Sequence, residues 1–245
     1  MAESQAVSAN DPRIRPRRTV PGRRRGRALR RGQAALVKTL LPQLAIPVGD
    51  GALDPSALFE PCGDVWLEVG FGGGEHLLAQ ARAHPRIGMI GCEPYLNGIA
   101  KLLARMESDP LANIRIYRGD ARDLIAVLTP GSVGRAFLLF PDPWPKRRHH
   151  KRRFIAPDTL HGLARALRPG ALFRVATDSP AYARWTLIHM RQSPDFAWCA
   201  ASAEDWRRRP ADWPETRYER KALAAGRRPV YLTFRRVGAQ EMDGD

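Results

Sequence analysis

Five short apolar runs recur through the middle of the chain: VWLEVG (65–70), IGMIGCE (87–93), IRIYRGD (114–120), RAFLLFPD (135–142) and ALFRVATD (171–178). Each predicts a strand, and AFLLF lacks polar alternation, as a strand covered on both faces should. Between the runs, apolar residues fall three and four apart and predict helices with one buried stripe. Leu96, Ile99, Leu103 and Met106 form one such stripe; Leu160, Leu163, Ala164 and Leu167 form another, which Pro169-Gly170 is expected to stop. Strands alternating with helices at this spacing specify an α/β fold with a parallel sheet covered on both sides.

Upstream, ALRRGQAALVKTLLPQL (28–44) predicts a helix ending near Pro42, followed by a Pro/Gly/Asp-rich connector. Downstream, FAWCAA (196–201) and PVYLTFRR (229–236) are separated by too irregular a stretch for another simple crossover. They are read as a closing strand pair, one strand antiparallel, which makes the sheet seven-stranded and mostly parallel. The expected organisation is a basic, flexible arm over 1–30, one domain over 31–240 and a tail over 241–245.

The 245 residues are long enough to bury a real core, and no apolar stretch approaches the roughly 18 residues needed to span a bilayer. The N-terminal stretch lacks the layout of a secretory signal, and Cys62, Cys92 and Cys199 form no close pair, so a reducing cytoplasm is expected. Charge changes the picture more. The formal net charge is +15, and residues 1–32 hold ten arginines against Glu3 and Asp11. A solvated leader would account for that. A polyanion-binding arm accounts for it as well, and a second cation block at 146–153 makes nucleic acid the expected polyanion. Neither block carries interleaved bulky apolar residues, so a membrane surface is not expected.

Each of the first five strands ends in or at an acid: Glu68, Glu93, Asp120, Asp142 and Asp178. That lines one rim of the sheet, where open α/β folds bind ligands, with carboxylates. Gly70, Gly72 and Gly74 follow the first strand in a G-x-G-x-G pattern that lets a ligand approach the backbone. Glu93 is placed to accept hydrogen bonds from both hydroxyls of a ribose, and Asp120 to accept from an adenine amine. A pyrophosphate would be repelled by Glu68, immediately before the loop. An ammonium and a sulfonium would be attracted, so S-adenosylmethionine fits where NAD fits poorly.

With those residues placed, the chain resembles the class I S-adenosylmethionine-dependent methyltransferases. More narrowly it resembles the bacterial tRNA (guanine-N7)-methyltransferases, through FPDPWPKRRHHKRR, ATDS and ETRYERK in that order, and GRRRGRALRRGQ for the arm. Pro145 departs from the histidine that many relatives carry. The resemblance implies a Rossmann-like fold in which Glu68, Glu93, Asp120 and Asp142 bind S-adenosylmethionine, Asp142 holding the catalytic position. It implies substrate contacts from Lys146, Asp178, Thr216, Arg217, Tyr218 and Glu219. It further implies RNA contacts from Arg148, His149, His150, Lys151, Arg152 and Arg153, and a target at guanosine 46 in the variable loop of tRNA.

The chemistry is compatible. Guanine N7 has an in-plane lone pair and no proton, so it needs alignment with the methyl group and no general base. Carboxylates near the ring stabilise the charge it acquires. Asp142 is expected to face base and sulfonium while the neighbouring cations face phosphates, with Pro141, Pro143 and Pro145 stiffening the bend between them.

Bland readings stand beside several of these. Trp144 could stack on a flipped base or simply pack. Asp178 could cap the helix after Pro180, though substrate contact is favoured. ETRYERK reads on pattern alone as an amphipathic helix start, with Glu215 and Glu219 facing cations. His149 and His150 have no acidic or cysteine partner at ligand spacing, so no metal is expected; Trp206 and Trp213 are read as packing residues. Two other functions remain open, methylation of another nucleic-acid nitrogen and non-catalytic RNA binding, and so do a monomer and a homodimer.

Overall fold

A computed structural model describes residues 26–49 and 51–238; most of the basic arm and the tail therefore lie outside the described residues. In chain order the elements are α1 (Arg31–Thr39), α2 (Leu41–Leu44), β1 (Asp64–Val69), α3 (Glu75–Ala83), β2 (Ile87–Cys92), α4 (Leu96–Ser108), β3 (Ile114–Tyr117), α5 (Ala121–Val127) and β4 (Val133–Leu139). There follow α6 (Pro157–Ala166), β5 (Leu167–Thr177), α7 (Pro180–Gln192), β6 (Phe196–Trp198), α8 (Glu204–Arg207), α9 (Arg217–Ala224) and β7 (Val230–Arg236).

The sheet order is β3-β2-β1-β4-β5-β7-β6. The pairs β1–β2, β2–β3, β1–β4 and β4–β5 are parallel, and β7 runs antiparallel to both β5 and β6. The chain winds outward from β1 to β3, then returns across the sheet to β4. That reversal leaves a crevice beyond the C-terminal ends of β1 and β4.

Alternation along β4 shows how the core is divided. Ala136 and Leu138 enter a cluster with Leu124, Leu160, Leu163 and Tyr182 on one face. Phe137 and Leu139 enter the other, with Leu77, Ile99, Leu103 and Met106. A β-strand sends successive side chains to opposite faces, so a central strand must be apolar throughout to fill both. Of the α4 stripe expected from its spacing, Ile99, Leu103 and Met106 are buried, and Leu96 packs against them partly buried.

Three boundaries differ from expectation. The first helix is interrupted at Leu40 and restarts as α2 with Pro42 in its first turn. Proline cannot continue α1, because it lacks an N–H and its ring clashes with the carbonyl four residues back; it is tolerated at a helix start. Next, α6 ends at Ala166, and Pro169-Gly170 does not stop it. The pair bends the exposed beginning of β5 instead: Val133 faces Leu167 while Arg135 faces Leu172, and Gly170 takes φ +80°, a bulge of the kind that glycine permits. Finally, the strand expected over 196–201 is only the edge segment β6.

Candidate functional site

A cavity of about 390 Å³ opens at the crevice, lined by Val69, Gly70 and Gly72 at the end of β1, Glu93–Tyr95 after β2 and Leu138–Asp142 at the end of β4, together with Trp144, Arg152, Phe154 and Tyr218. A second, of about 480 Å³, shares Phe140, Pro141, Asp142 and Tyr218 with it and adds Asp178, Ser179, Lys221 and Arg227. Asp142 and Tyr218 thus stand between two adjoining spaces.

The glycine loop is shaped by close approach. Gly70, Gly72 and Gly74 have φ of 74°, 58° and 78°. A Cβ on Gly98 of α4 would lie 2.3 Å from the Gly72 carbonyl oxygen, so helix and loop meet only because residue 98 has no side chain. The loop amide of Gly72 donates to Glu93 Oε2 at 2.7 Å, and Tyr95 N donates to Oε1 at 2.8 Å. Burial pushes the Glu93 carboxyl up to about 7 and the Asp142 and Glu68 charges add to this, while the two backbone donors pull the other way. The result is a buried acid whose charge waits for a further donor or cation.

The other expected acids are placed differently. Glu68 is buried and meets His76 Nδ1 at 2.8 Å. It lies in a small adjoining cleft with Gly70, Thr216 and Tyr218, outside the main cavity. Asp120 caps α5 by accepting from Arg122 N, and both its oxygens hold the Arg122 guanidinium at 2.8 and 2.6 Å. Asp178 does not cap α7; Ser179 does. Asp178 accepts from Arg227 Nε at 2.6 Å on the wall of the second cavity.

After β4 the chain makes a bend fixed by proline on one side and arginine on the other. Phe140 and Trp144 have φ of 48° and 44°, a region that bulky residues rarely enter, and each precedes a proline. Arg153 holds the bend by donating from Nε to Pro143 O at 3.0 Å and from Nη2 to Trp144 O at 3.3 Å. Its guanidinium lies 4.7 Å from the Trp185 ring and 5.7 Å from that of Tyr182. Arg153 is only 3% exposed; the expectation that it contacts RNA is corrected, because the side chain is buried and turned to the protein's own carbonyls and rings. Arg147, Arg148 and Lys151 are exposed on a 3-10 turn spanning Arg147–Arg152, with Lys146 exposed just before it. His149 and His150 are half-buried there, meeting the Trp144 and Trp185 rings edge-on. Arg152 stacks over Trp144 at 4.8 Å, so Trp144 both packs and lines the first cavity.

The segment 216–219 also divides. Thr216 is the N-cap of α9, accepting from Glu219 N. Glu219 is buried, taking a short hydrogen bond from Tyr231 Oη and a contact from Arg209 Nη1 at 3.5 Å, not from a cation one helical turn away. Arg217 is exposed and stacks over Tyr218. Tyr218 itself leans across the glycine loop, where a Cβ on Gly72 would lie 3.0 Å from its ring. Trp213 packs against His76, Phe137 and Tyr231, as a packing residue should. His76 had no signal in the sequence beyond its place in the first turn after the glycines.

Among the described residues no helix is long and apolar enough to cross a membrane. Residues 63–232 match a family model described as "Putative methyltransferase". The chain is 51% identical over 220 residues to a tRNA (guanine-N(7)-)-methyltransferase of Rhodospirillum rubrum, covering 88% of this chain and 86% of that one. It is 52% identical over 217 residues to a protein of the same name from Azorhizobium caulinodans, covering 88% and 94%. Among solved structures, the 16S rRNA methyltransferase KamB superposes with a TM-score of 0.55 at 21% identity, over 73% of this chain and 90% of that one. A 16S rRNA (adenine(1408)-N(1))-methyltransferase from Catenulisporales acidiphilia does so with 0.51 at 16% identity, over 80% and 98%. These two share the fold.

Proposed function

Since this chain belongs to the tRNA (guanine-N(7)-)-methyltransferases, which methylate guanine N7 from S-adenosylmethionine, we propose guanosine 46 of the tRNA variable loop as its target and Asp142 as its catalytic residue. The observation that carries this is the position of Asp142, shared by two adjoining cavities on a strained, proline-stiffened loop.

The residues fit the donor. A buried carboxyl with a raised pKa waits at Glu93, where two ribose hydroxyls would restore its charge. Gly70 leaves open space where a Cβ would stand, and the cavity has the size usual for a cofactor site. We assign the ribose to Glu93, the adenine amine to Asp120, and the ammonium end to Glu68 through its cleft beside Gly70. When bound, the donor supplies an electrophilic methyl on a sulfonium.

The chain's part is placement and charge. N7 needs no base, so no side chain has to remove a proton. Asp142 stabilises the positive charge that the purine acquires. Asp178, anchored by Arg227, accepts from guanine N1–H and the exocyclic amine, which adenine cannot supply. Tyr218 separates the two spaces and covers the glycine loop. Lys146, Arg148, His149, His150, Lys151 and Arg152 face the RNA backbone, while Thr216 and Glu219 shape the site through the α9 start.

The test is methylation of unmodified tRNA by purified protein with isotopically labelled S-adenosylmethionine, then nuclease digestion and mass spectrometry. The expected product is N7-methylguanosine at position 46. Label on an exocyclic amine or another nucleotide refutes the assignment, and binding without label transfer leaves an RNA-binding protein.

A further inference from the structure

Gly26 and Arg27 come from far upstream to the start of α4, next to Tyr95 of the donor cavity, and are gripped there by one side chain. Gly26 N donates to Asn97 Oδ1 at 2.7 Å, and Asn97 Nδ2 donates to Arg27 O at 2.8 Å. An asparagine amide pairs an acceptor oxygen with a donor NH2, and both halves of the group are used on neighbouring backbone atoms. A Cβ on residue 26 would lie 2.2 Å from Tyr95 Oη; the approach depends on glycine. Tyr95 lines the donor cavity, and its backbone amide holds Glu93. The upstream segment is therefore clasped to the same short stretch that shapes the cavity wall.

What the clasp presents is cationic. Arg27, Arg30 and Arg31 are exposed, and none has an acidic partner among the described residues. The first turn of α1 contains no acid. Cations at that end of a helix oppose its dipole and cost stability, so helix formation does not explain them. Leu29 between them packs on the core, which fixes the segment from the opposite side. The charges are thus held, solvated and without an acidic partner among the described residues, near a cavity lined by Arg152, which belongs to the cationic 147–152 turn.

We propose that Arg27, Arg30 and Arg31 form a second phosphate-contacting surface for RNA, separate from the 147–152 turn and tethered to the donor cavity by the Asn97 clasp. The proposal rests on the tRNA reading above for the identity of the polyanion. A tRNA whose guanine enters the second cavity is then held by its backbone from two parts of the chain.

The full-length protein carrying Arg27→Gln, Arg30→Gln and Arg31→Gln together tests it, glutamine keeping helix propensity close to that of arginine. Affinity for tRNA is measured between 50 and 300 mM salt, and S-adenosylmethionine affinity by calorimetry. Loss of three phosphate contacts should weaken tRNA binding by about tenfold or more near 0.1 M salt and lower the slope of log K against log salt by about two to three units. Donor affinity should stay at the wild-type value. An unchanged slope overturns the surface. Asn97→Ala keeps every cation and should raise the KM for tRNA several-fold; a wild-type KM overturns the clasp. If the wild-type protein puts no methyl on tRNA, the function assignment fails, whatever these slopes show.

Discussion

Donor binding should release nearly one proton at pH 6 and almost none at pH 8, because Glu93 must become charged to accept the ribose hydroxyls. Its carboxyl stands at about 7 in the free protein, raised from 4.5 chiefly by burial. At pH 6 about nine-tenths of the molecules hold that proton. If hydroxyl donors return the group to its ordinary range, the dissociation constant should rise about tenfold between pH 8 and pH 6, equivalent to about 1.4 kcal/mol. Calorimetry in two buffers of different ionisation enthalpy measures both the proton count and the affinity. Glu93→Gln removes the titration, so its difference from wild type isolates Glu93 from the donor's own amine. That variant should bind about tenfold or more weakly, with a flat pH profile, since charged hydrogen bonds are lost. Asp142→Asn should shift the wild-type profile toward acid, because the Asp142 charge helps to raise Glu93. Stability carries the opposite sign. The folded protein keeps this proton to higher pH than the unfolded chain, so the group favours folding at low pH. That contribution is lost as pH rises from 4.5 to about 7, by up to about 3 kcal/mol. A wild-type affinity independent of pH, with no proton released at pH 6, refutes the reasoning.

Asp142→Ala should lower kcat by about a hundredfold or more while leaving tRNA affinity within about twofold; turnover within a few-fold of wild type removes Asp142 from the reacting centre. Arg153→Met deletes the donors to the Pro143 and Trp144 carbonyls and two ring contacts, for about 2–4 kcal/mol. Thermal melting should therefore drop by about 5–10 °C with the salt dependence of tRNA binding unchanged, and a reduced slope without a melting change would restore Arg153 to the RNA surface. Gly98→Ala drives a Cβ into the Gly72 carbonyl, so donor binding should weaken about tenfold or more while tRNA binding persists. Equal losses in both would mean general unfolding.

The sheet was legible because burial on both faces demands uninterrupted apolar runs, and the helices because one buried stripe repeats at helical spacing. Strand-end acids were legible as a rim for the same reason: strand ends can be located. Their directions were not. Glu68 differs from Glu93 in standing one residue inside β1, where it turns to His76, and that partner was invisible until α3 was folded against the strand. Arg152 and Arg153 are adjacent in one cation block, yet one stacks over Trp144 and the other is buried beneath the bend. Composition assigns both to solvent; only the carbonyls of Pro143 and Trp144, released from regular structure by the prolines, explain why one goes inside. The Gly26–Asn97 contact left no local pattern, since it joins residues 71 apart.

Those same carbonyls explain how one short loop can aim an acid and a cation block in different directions. Proline alone does not suffice: it fixes its own φ but leaves Phe140 and Trp144 to adopt positive φ, at a cost of about 1–3 kcal/mol each. Such a conformation persists only if its surroundings over-determine it. Phe140 N is tied to Ala176 O at 2.7 Å, and the Arg153 fork takes the two carbonyls at the far end of the loop, so the strain is held at both ends by groups outside it. Asp142, between these ties, is exposed yet confined, which suits an electrostatic role better than a mobile side chain would, because a charge stabilises a developing cation only where it is already in place when the methyl moves. The buried arginine of the cation block therefore serves the loop that carries the carboxylate, and its exposed neighbours stay in solvent, where the proposed RNA contacts need them.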